Sequence, residues 1–248
     1  TTPQHNLAVI KVVGIGGGGT NAIKRMIGEG MTGVDFIALN TDEQDLLDCD
    51  APTKLDIGQS TTRGLGAGAD PAVGERAARD NSQDIEDVLT GADMVFVTAG
   101  EGGGTGTGGA PIVAGIARGL GALTVAVVTK PFSFEGKRRA DNAEHGIEKL
   151  RDACDTLITI PNDRLLQQED KTISINEAFS KADEVLFNGV QGITDLISTP
   201  GLINVDFADV KSVLADSGAA LMGIGRASGN DRASKATDAA INLSLIHI

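Results

Sequence analysis

Two glycine-rich segments carry the spacing that could do chemistry. Gly14, Gly16 and Gly19 satisfy GxGxxG, with Gly16 to Gly19 unbroken, and Gly102-Gly103-Gly104-Thr105-Gly106-Thr107-Gly108 forms a second run. Glycine reaches positive φ and lets several N–H groups converge on an anion, while Thr105 and Thr107 add hydroxyl donors. A polyanionic tail can thus be neutralised by dipoles in place of lysines. The first run is not a Walker A loop, because no Lys-Ser or Lys-Thr pair follows it. Its bland alternative is a turn needed only for tight packing; that of the second is a surface segment. A third constellation is acidic. Asn204, Asp206 and Asp209 read NxDxxD, and paired carboxylates can orient a water and bind a cation near it. The alternative is that Asp206 merely caps a helix starting at Phe207. Glu135 and Arg139 stand at i, i+4, where a surface ion pair is the simplest use.

The elements around these segments alternate. Leu7 to Ile15 predicts a buried strand, Asn21 to Gly28 a helix, and Val34 to Leu39 a second strand ending in Asn40, Thr41 and Asp42. A helical stretch from Pro71 to Thr90 leads to a strand over Asp93 to Ala99. The second glycine run, Gly100 to Gly109, follows as a loop, then a small-residue helix from Ala110 to Gly119 with Pro111 in its first turn. Strands over Leu123 to Thr129 and Thr156 to Ile160 flank an amphipathic helix from Arg138 to Asp152. Continuous apolar strands alternating with helices predict an α/β fold with a parallel sheet covered on both faces. Both glycine runs then follow strands of one sheet and can surround one chain of phosphates. Beyond Pro161 the pattern predicts a long helix over Ser174 to Ile197, a short one within Asn204 to Leu214, a strand over Ala219 to Ala227 and a helix over Asp231 to Asn242.

Composition narrows the function classes. The 248 residues carry 34 acidic against 21 basic side chains, a net charge of −13, which gives no electrostatic reason to approach nucleic acid or anionic lipid. No apolar run reaches the roughly 18 to 20 residues of a spanning helix, so no membrane insertion and a cytoplasmic location are expected. Cys49, Cys154 and the three histidines show no metal-ligand spacing, so no dedicated metal site is expected.

With the GGGTGTG run, the segments VVGIGGGGTNA, NTD, TKPFSFEGKRR, PNDRLL, GVQGITDLI and PGLINVDFADV occur in order from about Leu7 to Asn242. Together they resemble the tubulin/FtsZ family of GTPases, in its bacterial cell-division branch. EGGGTGTGGAP and KADEVLFNGVQGI lean towards the actinobacterial form. The resemblance implies a Rossmann-like GTP-binding domain over 7–175, a central helix over 176–201, and a catalytic loop with the start of an α+β C-terminal domain over 202–242. It implies that Gly17, Gly18, Gly19, Thr20 and Asn21 contact GTP or GDP from the first run and that Gly104, Thr105 and Gly106 hold the β and γ phosphates. Glu135 and Arg139 are expected at the ribose, and Asp183 at the guanine, whose N1–H and amine a carboxylate can accept together. Phe179 would lie against the base or face the core, and Glu184 beside Asp183 could take its part. Mg²⁺ is expected mainly through the phosphates.

Asn204, Asp206 and Asp209 are implied to reach the γ-phosphate of the next subunit, completing catalysis in a head-to-tail homopolymer at the mid-cell division ring. Regulators and membrane anchors would bind a tail that this chain lacks. The segment 243–248 matches nothing in the family, so the second domain is expected to be incomplete, exposing apolar surface around Leu221 to Ile224. Two other readings stay open. An NAD-dependent oxidoreductase would use GxGxxG with Asp42 on the ribose, though it leaves the second glycine run without a job. A nucleotide-binding fragment without turnover would follow from the abrupt ending.

Overall fold

Apolar runs with a two-residue alternation become strands buried on both faces. The computed structural model describes residues 8–167, 173–198, 205–220 and 227–242. Its first strand, β1 (Ile10–Ile15), sends Val12 to one face and Val13 and Ile15 to the other, all fully buried. The chain continues through α1 (Gly16–Gly28), β2 (Asp35–Asn40), α2 (Glu43–Leu47), β3 (Thr53–Asp56), α3 (Pro71–Asp80), α4 (Ser82–Leu89), β4 (Met94–Gly100), α5 (Thr105–Gly119) and β5 (Leu123–Lys130). A single 3-10 turn (Ser133–Glu135) precedes α6 (Lys137–Ala153), β6 (Thr156–Pro161), α7 (Asp163–Gln167), α8 (Ile175–Ser198), α9 (Phe207–Leu214), β7 (Gly218–Ala220) and α10 (Arg232–Asn242).

The described strands form one parallel sheet in the order β3-β2-β1-β4-β5-β6-β7. One face packs on α3 to α6, through side chains such as Ala77, Ile85, Val113 and Leu150. The other packs on α1 and α8, through Ile23, Met26, Leu186 and Val190. The expected α/β architecture is present, and the order reverses between β1 and β4, the topological switch point where such sheets open a crevice at their carboxyl ends.

Several boundaries differ from expectation. Both glycine runs are partly helical: α1 starts at Gly16 and α5 at Thr105, so Pro111 sits inside α5 and not in its first turn. The stretch 71–90 is two helices that break at Asn81, whose amide donates to the Ile57 and Ala77 carbonyls. The edge strand β3 and the short α2 and α7 were not foreseen. Where a strand over 219–227 is predicted, the described residues form the short strand Gly218–Ala220, and 221–226 lie outside the description. The apolar segment from Leu221 to Ile224 lies outside the described residues.

Candidate functional site

At the switch point Ile15 ends β1 beside Ala99 of β4; β1 runs directly into α1, and β4 reaches α5 through the short turn 101–104. The turns touch. Gly16 has φ +69°, and a Cβ there would stand 2.8 Å from the Gly106 nitrogen; one on Gly18 would stand 2.9 Å from the Gly100 nitrogen. No side chain caps the amino end of α1 or α5, so first-turn N–H groups and the positive ends of two helix dipoles are left for a ligand. Tight packing and anion cradling are therefore one requirement here.

These turns form the floor of a cleft of about 460 Å³. Of the residues singled out from sequence, Gly17, Gly18, Asn21, Gly104, Thr105, Gly106, Glu135, Arg139, Asp183 and Phe179 line it. Gly19 and Thr20 do not. Gly19 faces the sheet, where a Cβ would meet the Thr98 carbonyl, and the fully buried Thr20 hydroxyl donates to the Gly16 and Gly17 carbonyls, 3.1 Å each. The Thr107 hydroxyl, expected as a ligand donor, is buried behind the turn and accepts from the Gly102 N–H at 2.8 Å. That of Thr105 bonds Thr41, 2.6 Å away.

Glu135 and Arg139 pair at 2.6 Å, the use their i, i+4 spacing suggests, and both line the cleft. Phe179 is 39% exposed, not a core residue, with its ring edge-on to Phe132 and Phe134. Asp183 lies one turn along α8. Burial pushes its carboxyl up to about 6, against the opposing pull of Arg25 and then Lys24. Glu184 is turned out to Arg25, 3.7 Å away, and takes no part in the cleft. Asp42 also lines the cleft and caps α2, its Oδ1 accepting from the Gln44 and Asp45 N–H groups.

Among the lining residues that the sequence did not single out, two are buried polar side chains without a bond on a side-chain oxygen. Asn162, 4% exposed, has its side-chain oxygen unbonded beside the cleft; its signal was the PND segment, quoted only as part of a pattern. Glu101, also 4% exposed, has neither carboxylate oxygen bonded. Burial pushes it up to about 8, with the neighbouring Thr107 hydroxyl a smaller opposing influence. Among the described lining residues Arg139 is the one cation, against Asp42, Asp45, Glu101, Glu135 and Asp183. An anion here must be held chiefly by backbone dipoles.

The acidic pair is elsewhere. Asp206 and Asp209 are exposed and cap α9 reciprocally: Asp206 Oδ1 accepts from the Asp209 N–H at 2.9 Å, and Asp209 Oδ2 from the Asp206 N–H at 3.4 Å. The capping alternative thus accounts for both aspartates, not one. The far end of α9 is tied to the start of β6 by the Thr156 hydroxyl on the Leu214 carbonyl, the sheet end opposite the cleft. Asn204 lies outside the described residues.

Comparison with known proteins agrees with this geometry. The family model for the GTPase domain of the Tubulin/FtsZ family matches residues 9–170. A structure of M. jannaschii FtsZ, an empty dimer, superposes with a TM-score of 0.92 at 49% identity, covering 96% of this chain and 69% of that one. A mutant of the same protein gives 0.93 at 49%, covering 98% and 73%. CetZ2 of Haloferax volcanii, a protofilament bound to GTPγS, shares the fold at 0.78 and 24% identity, covering 90% and 67%. Family model, identity and sheet order coincide, and the chain belongs to the Tubulin/FtsZ family, whose GTPase domain it carries.

Proposed function

We propose that the cleft binds GTP and GDP, and that GTP hydrolysis is completed when the acidic turn of one subunit meets the cleft of the next in a head-to-tail filament of the division ring. One observation carries this reading: two uncapped helix starts share the cleft, while the paired aspartates do not line it and begin a helix whose carboxyl end is tied to the opposite end of the sheet. Each copy thus offers a cleft and a separate acidic turn that stacked copies can bring together, and a heterologous contact that does not close propagates. The dimer reported for M. jannaschii FtsZ supports self-association.

In the cleft the amides of Gly17, Gly18, Gly104 and Gly106 hold the phosphates and disperse their charge without a lysine. Glu135 and Arg139 position the ribose, Asp183 accepts the two guanine donors, and the Asn162 amide offers a further contact to the base. No group of three or more His, Cys, Asp or Glu side chains able to hold a metal occurs among the described residues. That donor set fits Mg²⁺ carried on phosphate oxygens and water, where it would neutralise charge developing on the leaving group.

Mixing two defective chains tests the shared site. Asp209→Asn impairs the acidic turn, and Gly106→Val fills the cradle, where a Cβ would already stand 3.0 Å from the Gly100 carbonyl. Each alone should hydrolyse GTP at a small fraction of the normal rate. An equimolar mixture should recover measurable turnover, because some contacts pair an intact cleft with an intact turn. No recovery, with both variants folded and still co-assembling, would refute the shared site.

A further inference from the structure

Glu101 has no part in the chemistry just described, yet it is the most costly side chain in the phosphate-binding turn. It follows β4, its backbone N–H bonds the Thr129 carbonyl at 2.9 Å, and its carboxyl is buried without a hydrogen bond of its own. What lies over it is Gly146 of α6: a Cβ on Gly146 would stand 2.5 Å from Glu101 Oε2. The carboxyl thus occupies the space a side chain on α6 would need.

The same helix reaches the cleft. Arg139 in its first turn lines it, and the Asn142 amide donates to the Ala69 and Gly102 carbonyls at 3.3 and 3.4 Å, tying α6 to both walls of the phosphate cradle. We propose that Glu101 is a positioning residue: through its contact with Gly146 it seats α6, and so sets Arg139 and Asn142 against the bound nucleotide. The inference rests on the nucleotide reading above.

Glu101 does this as the uncharged acid. A neutral carboxyl can be buried unpartnered at moderate cost, whereas the carboxylate cannot, and among the described residues the Thr107 hydroxyl favours the charge by less than burial opposes it. On α6, Arg139 pairs with Glu135 and Lys149 with Glu75, while His145 bonds the Asp141 carbonyl. On α3, Glu75 also holds Arg79; on β5, Lys130 holds Glu144; α5 offers the Thr107 hydroxyl. Lifting α6 off Glu101 exposes the acid to water, where it ionises from about its ordinary 4.5 upwards, while in the seated state it holds its proton to about 8. Within that window one proton leaves on opening, so seating weakens as pH rises and levels above 8.

Hydrogen exchange of α6 amides, corrected for intrinsic hydroxide catalysis, measures that opening directly. In the wild-type chain the opening constant should rise about tenfold per pH unit between roughly 5 and 8, following the release of one proton; in Glu101→Gln it should be flat. A flat wild-type profile, or an equal slope in the Gln variant, overturns the proposal. Should Glu101→Gln fail to fold, Glu101→Leu serves as the uncharged comparison, and the wild-type slope decides on its own if neither folds. Saturating GDP should lower α6 opening at least tenfold. Protection by GDP without the slope would sink the role of Glu101 and leave the nucleotide reading intact. The slope without protection would leave a structural acid only and refute the link to nucleotide.

Discussion

Asp183 shows how one side chain is set for its work by what surrounds it. Its carboxyl is pushed up to about 6 because burial disfavours the charge more than Arg25 and Lys24 favour it. In the empty protein this raised value means that stability present below about 3.8 is lost as pH rises towards 6. On the proposed reading guanine would reverse the balance, since its two N–H donors favour the carboxylate. GDP affinity should therefore be level near pH 7 and weaken below pH 6, being about tenfold poorer at pH 5 by calorimetry. Asp183→Asn should cost on the order of 10- to 100-fold at pH 7, the worth of a charge-assisted pair, and abolish the acid limb. An unchanged limb in that variant would assign the titration to another group. At the same scale the sequence misplaced two hydroxyls. Thr20 and Thr107 had the right chemistry for phosphate, but each was taken by a backbone partner within five residues, a local competition familiar for Ser and Thr.

At the scale of elements, the expected loops proved to be helix starts. Glycine costs about 1 kcal/mol against alanine in a helix interior, which argues for ending α5 before a Gly-Thr run. Tertiary packing overrules it. Gly74 of α3 and Gly108 of α5 leave the two helices in backbone contact: a Cβ on Gly108 would stand 2.5 Å from the Glu75 nitrogen, and it would overlap the Pro71 carbonyl. Larger residues would push α3, and with it the wall formed by Ala67 and Ala69, off the cradle. Gly108→Ala should therefore destabilise the fold by about 1–3 kcal/mol, an overpacking cost, read from urea unfolding, although alanine is the better helix former. A neutral or stabilising result would mean that the helices relax apart freely. Asp206 and Asp209 cap α9 reciprocally, which holds the turn, and the capping bonds use one oxygen of each exposed carboxylate.

For the whole molecule, a chain of net charge −13 can hold a polyphosphate by placing dipoles at the switch point and keeping its acidic turn out of the cleft lining. Catalytic carboxylates permanently beside the cradle would oppose the phosphates at close range, with little water to screen them. On the proposed reading, a cleft completed by a neighbour would make turnover depend on encounter. GTP hydrolysis per chain should rise with protein concentration and level off as assembly saturates, while GDP affinity of the Asp209→Asn chain stays near that of the wild type. Turnover per chain that is constant across a hundredfold dilution would contradict the shared arrangement.

The sequence alone determined the alternation of strand and helix, the parallel sheet and the two glycine turns, because continuous apolar runs and glycine clusters impose their geometry locally. Of the residues that line the cleft, the glycines were legible through their spacing and Asn21, Glu135, Arg139 and Asp183 through the family resemblance, while Asp45, Glu101 and Asn162 were not. Tertiary structure decided the rest. Only the order β3-β2-β1-β4 brings the turns after β1 and β4 into contact, which makes Gly16 and Gly106 neighbours. Only packing of α6 on the β4–α5 turn turns Glu101 from one more acidic residue among 34 into a buried acid without a partner. Desolvation depends on which distant segments exclude water from a side chain, and no spacing along the chain records that.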